Sequence, residues 1–290
     1  MTEKQAMTEP RAVPRLIDRA ALRAAQARAL RGAPAQFLLD RVADDMDERL
    51  HAVLREFRDV ADVWTPGPGL RGFSQTQSVP PVHADMLDND DERLPFAPSS
   101  LDLVLSALAL HFANDLPGVL AQIRRALKPD GLFLAALLGG DTLTELRQSF
   151  AAAESEVEGG LSPRVLPFAD LRDLGALLQR AGFALPVADV DRVVVRYADA
   201  FALMHDLRRM GATNVLTARR RAPLRRATLL RMAQIYADRF GDSDGRIRAT
   251  FDIVWLSGWA PHESQQQPLK PGSAKFSLED AVKGAAKAKD

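Results

Sequence analysis

The sequence predicts an α/β fold around a mostly parallel sheet, and three stretches carry that prediction. Leu101 to Leu108 and Leu132 to Leu138 are nearly unbroken apolar runs, the pattern of strands covered on both faces. Between them, Leu116, Leu120, Ile123 and Leu127 recur at steps of four, three and four, marking one face of a helix. Strand, helix and strand in about 40 residues make a right-handed parallel crossover.

Each element of that crossover has a local reason. Leu101 to Leu108 is β-capable, although length alone does not separate a short apolar strand from a buried helix. Asn114 or Asp115 can cap the following helix, with Pro117 in the first turn, where a missing N–H is harmless. Lys128-Pro129-Asp130-Gly131 is expected to end it as a turn, because Pro cannot continue a helix and Gly adopts positive φ.

The remaining chain supplies a lead-in, a first strand and a closing pair of strands. Met1 to Pro14 is polar, carries Glu3 and Glu9, lacks the apolar core of a signal peptide, and is predicted to be a disordered leader. Ile17 to Leu30 is rich in Ala, Arg and Leu and reads as a helix, followed by the Gly32-Ala33-Pro34 break. In Phe37 to Phe57 the apolar residues Leu38, Val42, Met46, Leu50, Leu54 and Phe57 make an amphipathic helix whose acidic face is solvated surface. Val60 to Trp64 is the candidate first strand. Leu143 to Glu156 and Phe168 to Ala181 are predicted helices, the second closed by Gly182. Leu185 to Tyr197 and Ala249 to Trp259 read as two long strands forming an antiparallel pair. A helical insertion lies between them (Ala200 to Met210 and Ala227 to Phe240). The expected division is therefore a leader at 1–14, a helical lead-in at 15–58, a main domain at 59–260 with its insertion at about 199–245, and a polar tail at 261–290 in which Phe276 and Leu278 can dock.

Bulk composition narrows the function. The 290 residues contain 38 Lys+Arg and 38 Asp+Glu, so no global field favours nucleic acid or an anionic membrane. The absence of cysteine excludes disulfides, thiolate nucleophiles, cysteine zinc sites and iron–sulfur ligation. No stretch approaches the roughly 20 apolar residues that span a bilayer. The cytoplasm is the expected compartment.

Thr65-Pro66-Gly67-Pro68-Gly69 follows the first strand. A Gly-rich turn there suits a nucleotide, since backbone without Cβ can approach the ligand beside a helix N-terminus. The alternative is a Pro/Gly turn with no ligand. Arg219-Arg220-Arg221 with Arg225-Arg226 could hold an acidic peptide or a phosphate. They can equally be ordinary surface charge at helix ends. His83-x-Asp85 has the spacing that begins a two-histidine, one-carboxylate iron site. His111 stands just beyond a strand's carboxyl end, where ligands bind in open α/β sheets, or else is a packed histidine.

Leu94-Pro95-Phe96, Leu101-Asp102-Leu103-Val104 and Leu127-Lys128-Pro129-Asp130-Gly131, in this order, resemble the second half of a class I S-adenosylmethionine-dependent methyltransferase domain. His111 with Asn114-Asp115-Leu116-Pro117, Gly139-Gly140-Asp141-Thr142-Leu143, Glu158-Gly159-Gly160, Met210-Gly211 and Gly258-Trp259 with His262-Glu263-Ser264 are similar to one branch. That branch comprises the methyltransferase-like assembly factors of respiratory NADH dehydrogenase (complex I) and their bacterial relatives. The resemblance, over roughly Ile17 to Leu278, implies a Rossmann-like methyltransferase sheet, mostly parallel with an antiparallel edge strand. It also implies S-adenosylmethionine as cofactor, bound by Gly67, Gly69, Asp85, Met86 and the strand end Ser106, Ala107 and Leu108. Aligning the family's Asp-x-Gly-x-Gly-x-Gly loop on Gly67 and Gly69 puts Val63 in the acidic position and Thr65 at the first glycine. Leu70 to Val82 is too short for the usual second strand with its ribose-binding acid, and Asp85 matches the acid that contacts adenine. The resemblance implies methyl transfer to an undetermined acceptor, a protein being one candidate. Its alternatives are a catalytically degenerate assembly factor gripping a respiratory-complex subunit, or a protein-arginine hydroxylase.

Overall fold

The computed structural model describes residues 15–67, 70, 82–85 and 90–266. The predicted leader, Gly69, Met86, Phe276 and Leu278 lie outside them. Six strands form one sheet in the order β2-β1-β3-β4-β6-β5. β1 (Val60–Val63), β2 (Val82–Ala84), β3 (Leu101–Ala107) and β4 (Leu127–Gly139) pair parallel, while β6 (Ile247–Trp259) runs antiparallel to both β4 and β5 (Ala184–Tyr197).

Period-two alternation distributes the core. Val104, Phe133, Ala135 and Leu137 face one side of the sheet, against α3 (Leu116–Ala126) and α5 (Leu171–Arg180). Leu103, Leu105, Leu132, Leu134 and Ala136 face the other, against Val42, Met46 and Leu50 of α2 (Phe37–His51). A third cluster lies beyond the strand ends, where α4 (Thr144–Glu158), α6 (Ala200–Arg209) and α7 (Arg226–Phe240) gather. The apolar spacings read from the sequence are those of the buried faces.

Two boundaries differ from expectation. α2 stops at His51 instead of running to Phe57, and Leu54 is exposed. Lys128 to Gly131 is part of β4 and no free turn. Leu127 pairs with Leu101 and Leu132 with Leu103, so the intervening residues bulge out of register with Asp130 at φ +62°. Lys128 closes that bulge by reaching Asp59 and Asp102 at 2.5 and 3.0 Å.

α1 (Arg19–Arg31) begins at Asp18, whose side chain accepts from the Ala21 N–H, and is tied to the insertion by a bridge between Ile17 and Leu216. Gly139 to Thr142 pins the end of β4 onto β6. Asp252 accepts from the Asp141 N–H at 3.0 Å, and its own N–H donates to Thr142 Oγ1 at 3.0 Å. Gly140 sits at φ +50° with Asp252 Oδ2 2.8 Å from where a Cβ would stand, so only glycine fits there.

Candidate cofactor and acceptor site

The carboxyl ends of β1, β2 and β3 meet at one buried carboxylate. Asp62 accepts from Thr65 Oγ1 at 2.5 Å, from the Leu70 N–H at 2.8 Å and from His83 Nδ1 at 3.0 Å. Thr65 Oγ1 in turn accepts from the Ala107 N–H at 2.9 Å. One acid thus shapes the loop after β1 and joins it to both neighbouring strands. The acid is Asp62 and not the Val63 position, so the glycine-anchored alignment is off by one residue. Counted from Asp62, the loop's first glycine position falls on Trp64. Trp64 has φ +69°, the left-handed conformation that glycine adopts freely, and its ring is buried.

β2 pairs directly with β1, Ala61 opposite Val82 and Val63 opposite Ala84. Asp85, the exposed residue just past β2, therefore occupies the slot beside β1. In the resembled fold that slot belongs to the second strand and its ribose-binding acid, whereas the adenine-contacting strand lies farther out. Ser106 and Ala107 are fully buried in the sheet, and Ser106 Oγ has no hydrogen-bond partner. Leu108 turns off the strand at φ +50°, and Gly67 is exposed at φ +73°. Gly67 and Leu108 line one cavity, while Ser106, Ala107 and Asp85 do not.

A residue the motif comparison passed over stands nearby. Arg19, in the first turn of α1, is buried, with its guanidinium 5.6 Å from the centre of the Trp64 ring. Nη2 lies 3.0 Å from Glu92 Oε1 as an ion pair, and among the described residues none of Nε, Nη1 and Nη2 has a hydrogen-bond acceptor. Burial pulls the guanidinium below its ordinary pKa, opposed by the Glu92 charge. Glu92 also accepts the N–H groups of Asn114 and Asp115 at 2.8 and 2.9 Å, while the Asn114 and Asp115 side chains accept from the Ile17 and Gly118 N–H groups. The available signal was Asp18-Arg19, an acidic cap followed by an arginine at a helix start.

The cavity, about 310 Å³, opens at the carboxyl ends of β3 and β4 and is roofed by α1, α2, α4 and α6. His111 is on its wall. Nδ1 accepts from the Leu138 N–H at 3.4 Å, and the ring packs on Phe112 and Phe168 with centroids 4.2 and 5.9 Å apart. Desolvation pushes its pKa down to about 3, so the imidazole is neutral at physiological pH. The unfolded chain, with an ordinary value near 6.5, binds this proton first. Stability from this site is therefore complete above about pH 6.5 and is lost as pH falls toward 3, by about 1.4 kcal/mol per pH unit at most. Urea titrations of wild type and His111→Gln between pH 7 and 4 are expected to converge as pH falls; parallel curves would contradict a buried neutral histidine.

Two of the five arginines in the basic cluster are spent on the fold, while Arg221, Arg225 and Arg226 are exposed. Arg219 pairs with Asp18 at 2.9 Å and donates to the Leu216 carbonyl, and Arg220 pairs with Glu158. His83 is engaged by Asp62, and among the described residues no three His, Asp or Glu gather as a metal-binding cluster.

A methyltransferase-domain family model matches residues 67–135. The arginine-hydroxylase NDUFAF5, mitochondrial, of Danio rerio is 45% identical over 209 residues, covering 72% of this chain and 64% of that protein. The chain thus spans just under two thirds of that relative's length. A malonyl-[acyl-carrier protein] O-methyltransferase of Gallionella capsiferriformans is 31% identical over 276 residues, covering 85% of this chain and 92% of that protein. Among solved structures, the YcgJ protein of Bacillus subtilis superposes with a TM-score of 0.48 at 14% identity, over 77% of this chain and 99% of that one. The chain belongs to the class I S-adenosylmethionine-dependent methyltransferase family. The NDUFAF5 relatives are more similar in sequence than the Gallionella methyltransferase, but over a smaller share of their own length.

Proposed function

We propose that the chain binds S-adenosylmethionine across the carboxyl ends of β1, β2 and β3 and transfers its methyl group to an acceptor lodged in the adjoining cavity. The observation that carries this reading is Arg19. A buried guanidinium whose nitrogens find no hydrogen-bond acceptor among the described residues is suited to a ligand carboxylate, such as that of the cofactor's amino-acid end. In this reading Asp85 holds the ribose hydroxyls, a reassignment from the adenine contact expected earlier. Gly67 and Leu108, on the cavity wall, admit the ligand to the backbone, with Ser106 and Ala107 buried beneath; Gly69 and Met86, the other positions the resemblance implies, lie outside the described residues. When bound, the cofactor supplies an electrophilic methyl carbon: the acceptor's nucleophile bonds to it as the carbon–sulfur bond breaks, releasing S-adenosylhomocysteine and a proton. The chain's own contribution is positioning and exclusion of water, which need no catalytic triad.

Calorimetry with S-adenosylmethionine is expected to show saturable binding that weakens at least tenfold, about 1.4 kcal/mol, in Asp85→Ala. Absence of heat at millimolar ligand would overturn the reading.

The name of the NDUFAF5 relatives, together with 45% identity, supports a second reading: hydroxylation of a protein arginine, with a respiratory-complex subunit as partner and substrate. A mass gain of one oxygen on an arginine of a co-expressed subunit, with iron supplied, would favour it over methyl transfer. No helix among the described residues is long and apolar enough to cross a membrane. A cytoplasmic location and a protein or small-molecule partner, with no nucleic acid, complete the proposal.

A further inference from the structure

The cavity holds information about the acceptor that the family does not carry. Its body is walled by side chains from separate elements, including Leu38 of α2, Phe150 of α4, Met204 of α6 and Phe251 of β6. Among the described residues lining it there is no Asp or Glu. Its two arginines each have their charge paired by a carboxylate outside the lining, Arg164 by Glu154 and Arg209 by Asp206, although Arg164 Nη2 makes no hydrogen bond among the described residues. From this, and resting on the methyl-transfer reading only for the role of the ligand as acceptor, we infer that the cavity takes a neutral, apolar ligand, an acyl- or alkyl-type chain with an uncharged polar head.

Size and charge both favour that class. A volume of about 310 Å³ is in the range of small-molecule sites, roughly 300 to 1,000 Å³. A guanidinium placed there would lose hydration and meet no carboxylate among the described lining residues. An alkyl chain loses nothing by leaving water and gains the apolar wall. The polar end has one natural reader. His111 is held neutral, its Nδ1 accepts from the Leu138 N–H, and its Nε2 hydrogen is therefore available to an uncharged oxygen. The same wall is reached by Gly67 and Leu108, so the head end of the ligand lies on the cofactor side. Such a site discriminates against an arginine side chain, and the inference therefore separates this chain's acceptor from the one named for its NDUFAF5 relatives.

The test uses the intact protein without cofactor. Decan-1-ol and, separately, arginine amide are titrated while the unfolding temperature is followed, because a ligand that binds only the folded state raises it. Decan-1-ol is expected to raise it saturably, with an apparent Kd at least tenfold below that of arginine amide. Met204→Trp and Leu224→Trp, each of which fills the cavity, are expected to abolish the decan-1-ol response while unfolding cooperatively on their own. Either variant suffices if the other fails to fold. An equal or larger response to arginine amide, no response of wild type to decan-1-ol, or an undiminished response in a folded variant overturns the inference. Failure here with normal S-adenosylmethionine binding leaves the methyl-transfer reading standing, and a decan-1-ol response without cofactor binding removes that reading alone.

Discussion

Asp62→Ala is expected to lower the unfolding free energy by about 3 to 5 kcal/mol and to abolish cofactor binding. The substitution leaves the Thr65 hydroxyl, the Leu70 N–H and the His83 ring without their acceptor in a site that water does not reach. An unsatisfied buried donor costs about 1 to 3 kcal/mol, and three that share one acceptor do not add fully. The loop from Trp64 to Leu70 also loses the tether that ties it to β2 and β3 through Thr65 and Ala107. Asp62→Asn keeps one carbonyl oxygen and should lose about half as much. Guanidinium denaturation gives the stability, and calorimetry with S-adenosylmethionine gives the binding. A loss under about 1 kcal/mol in Asp62→Ala would show that the carboxylate is not the keystone of the loop.

Arg19→Met is the second large effect, expected near 3 kcal/mol with cofactor affinity reduced at least tenfold. Methionine preserves much of the volume but leaves the buried Glu92 carboxylate without its cation. Glu92 stays hydrogen-bonded to Asn114 and Asp115, so the penalty is for the charge and not for lost geometry. In a double-mutant cycle, Arg19→Met with Glu92→Gln should recover more than 1 kcal/mol of the stability, because the remaining group is neutral. Cofactor affinity should not recover, since the donors are gone. Arg19→Lys separates the two roles, restoring the ion pair without the planar fork that matches a carboxylate. Recovered affinity in Arg19→Met/Glu92→Gln would detach Arg19 from ligand binding and leave it a structural residue.

The parts of the fold that were legible in the sequence are those where periodicity and burial coincide. β3, α3 and β4 announce themselves because both faces of the strands and one face of the helix are buried within a continuous stretch. The β5–β6 pair was legible from alternation and β-branched content. The boundary errors arose where a local signal was overridden. Leu54 kept the helical spacing of α2 but lies past its end, and the Lys128-Pro129-Asp130-Gly131 turn chemistry was absorbed as a strand bulge because Lys128 has two carboxylates to reach. The site was less legible. Gly67 and Gly69 drew the loop alignment onto themselves, when the informative residue was the acid that the structure buries. Nothing in sequence pattern announces a tryptophan at φ +69°; it is tolerated because Trp64 is packed from several sides and Arg19 lies over it. The cavity is assembled from Leu38, Phe150, Met204 and Phe251, residues so far apart along the chain that no local window contains two of them.

The tie between the start of the chain and the insertion has a consequence in time. Thr217 Oγ1 accepts nothing from its own neighbourhood; it donates to the Arg15 carbonyl, 202 residues away, and its N–H donates to the Leu16 carbonyl. During synthesis at 5 to 20 residues per second, Arg15 and Leu16 therefore wait about 10 to 40 s for their partner to be made. The sheet's central strands are complete well before then. The apolar chamber beside them lacks the α6 part of its roof until the insertion arrives, and in that interval the nascent chain presents part of the lining of its own binding site to the surroundings.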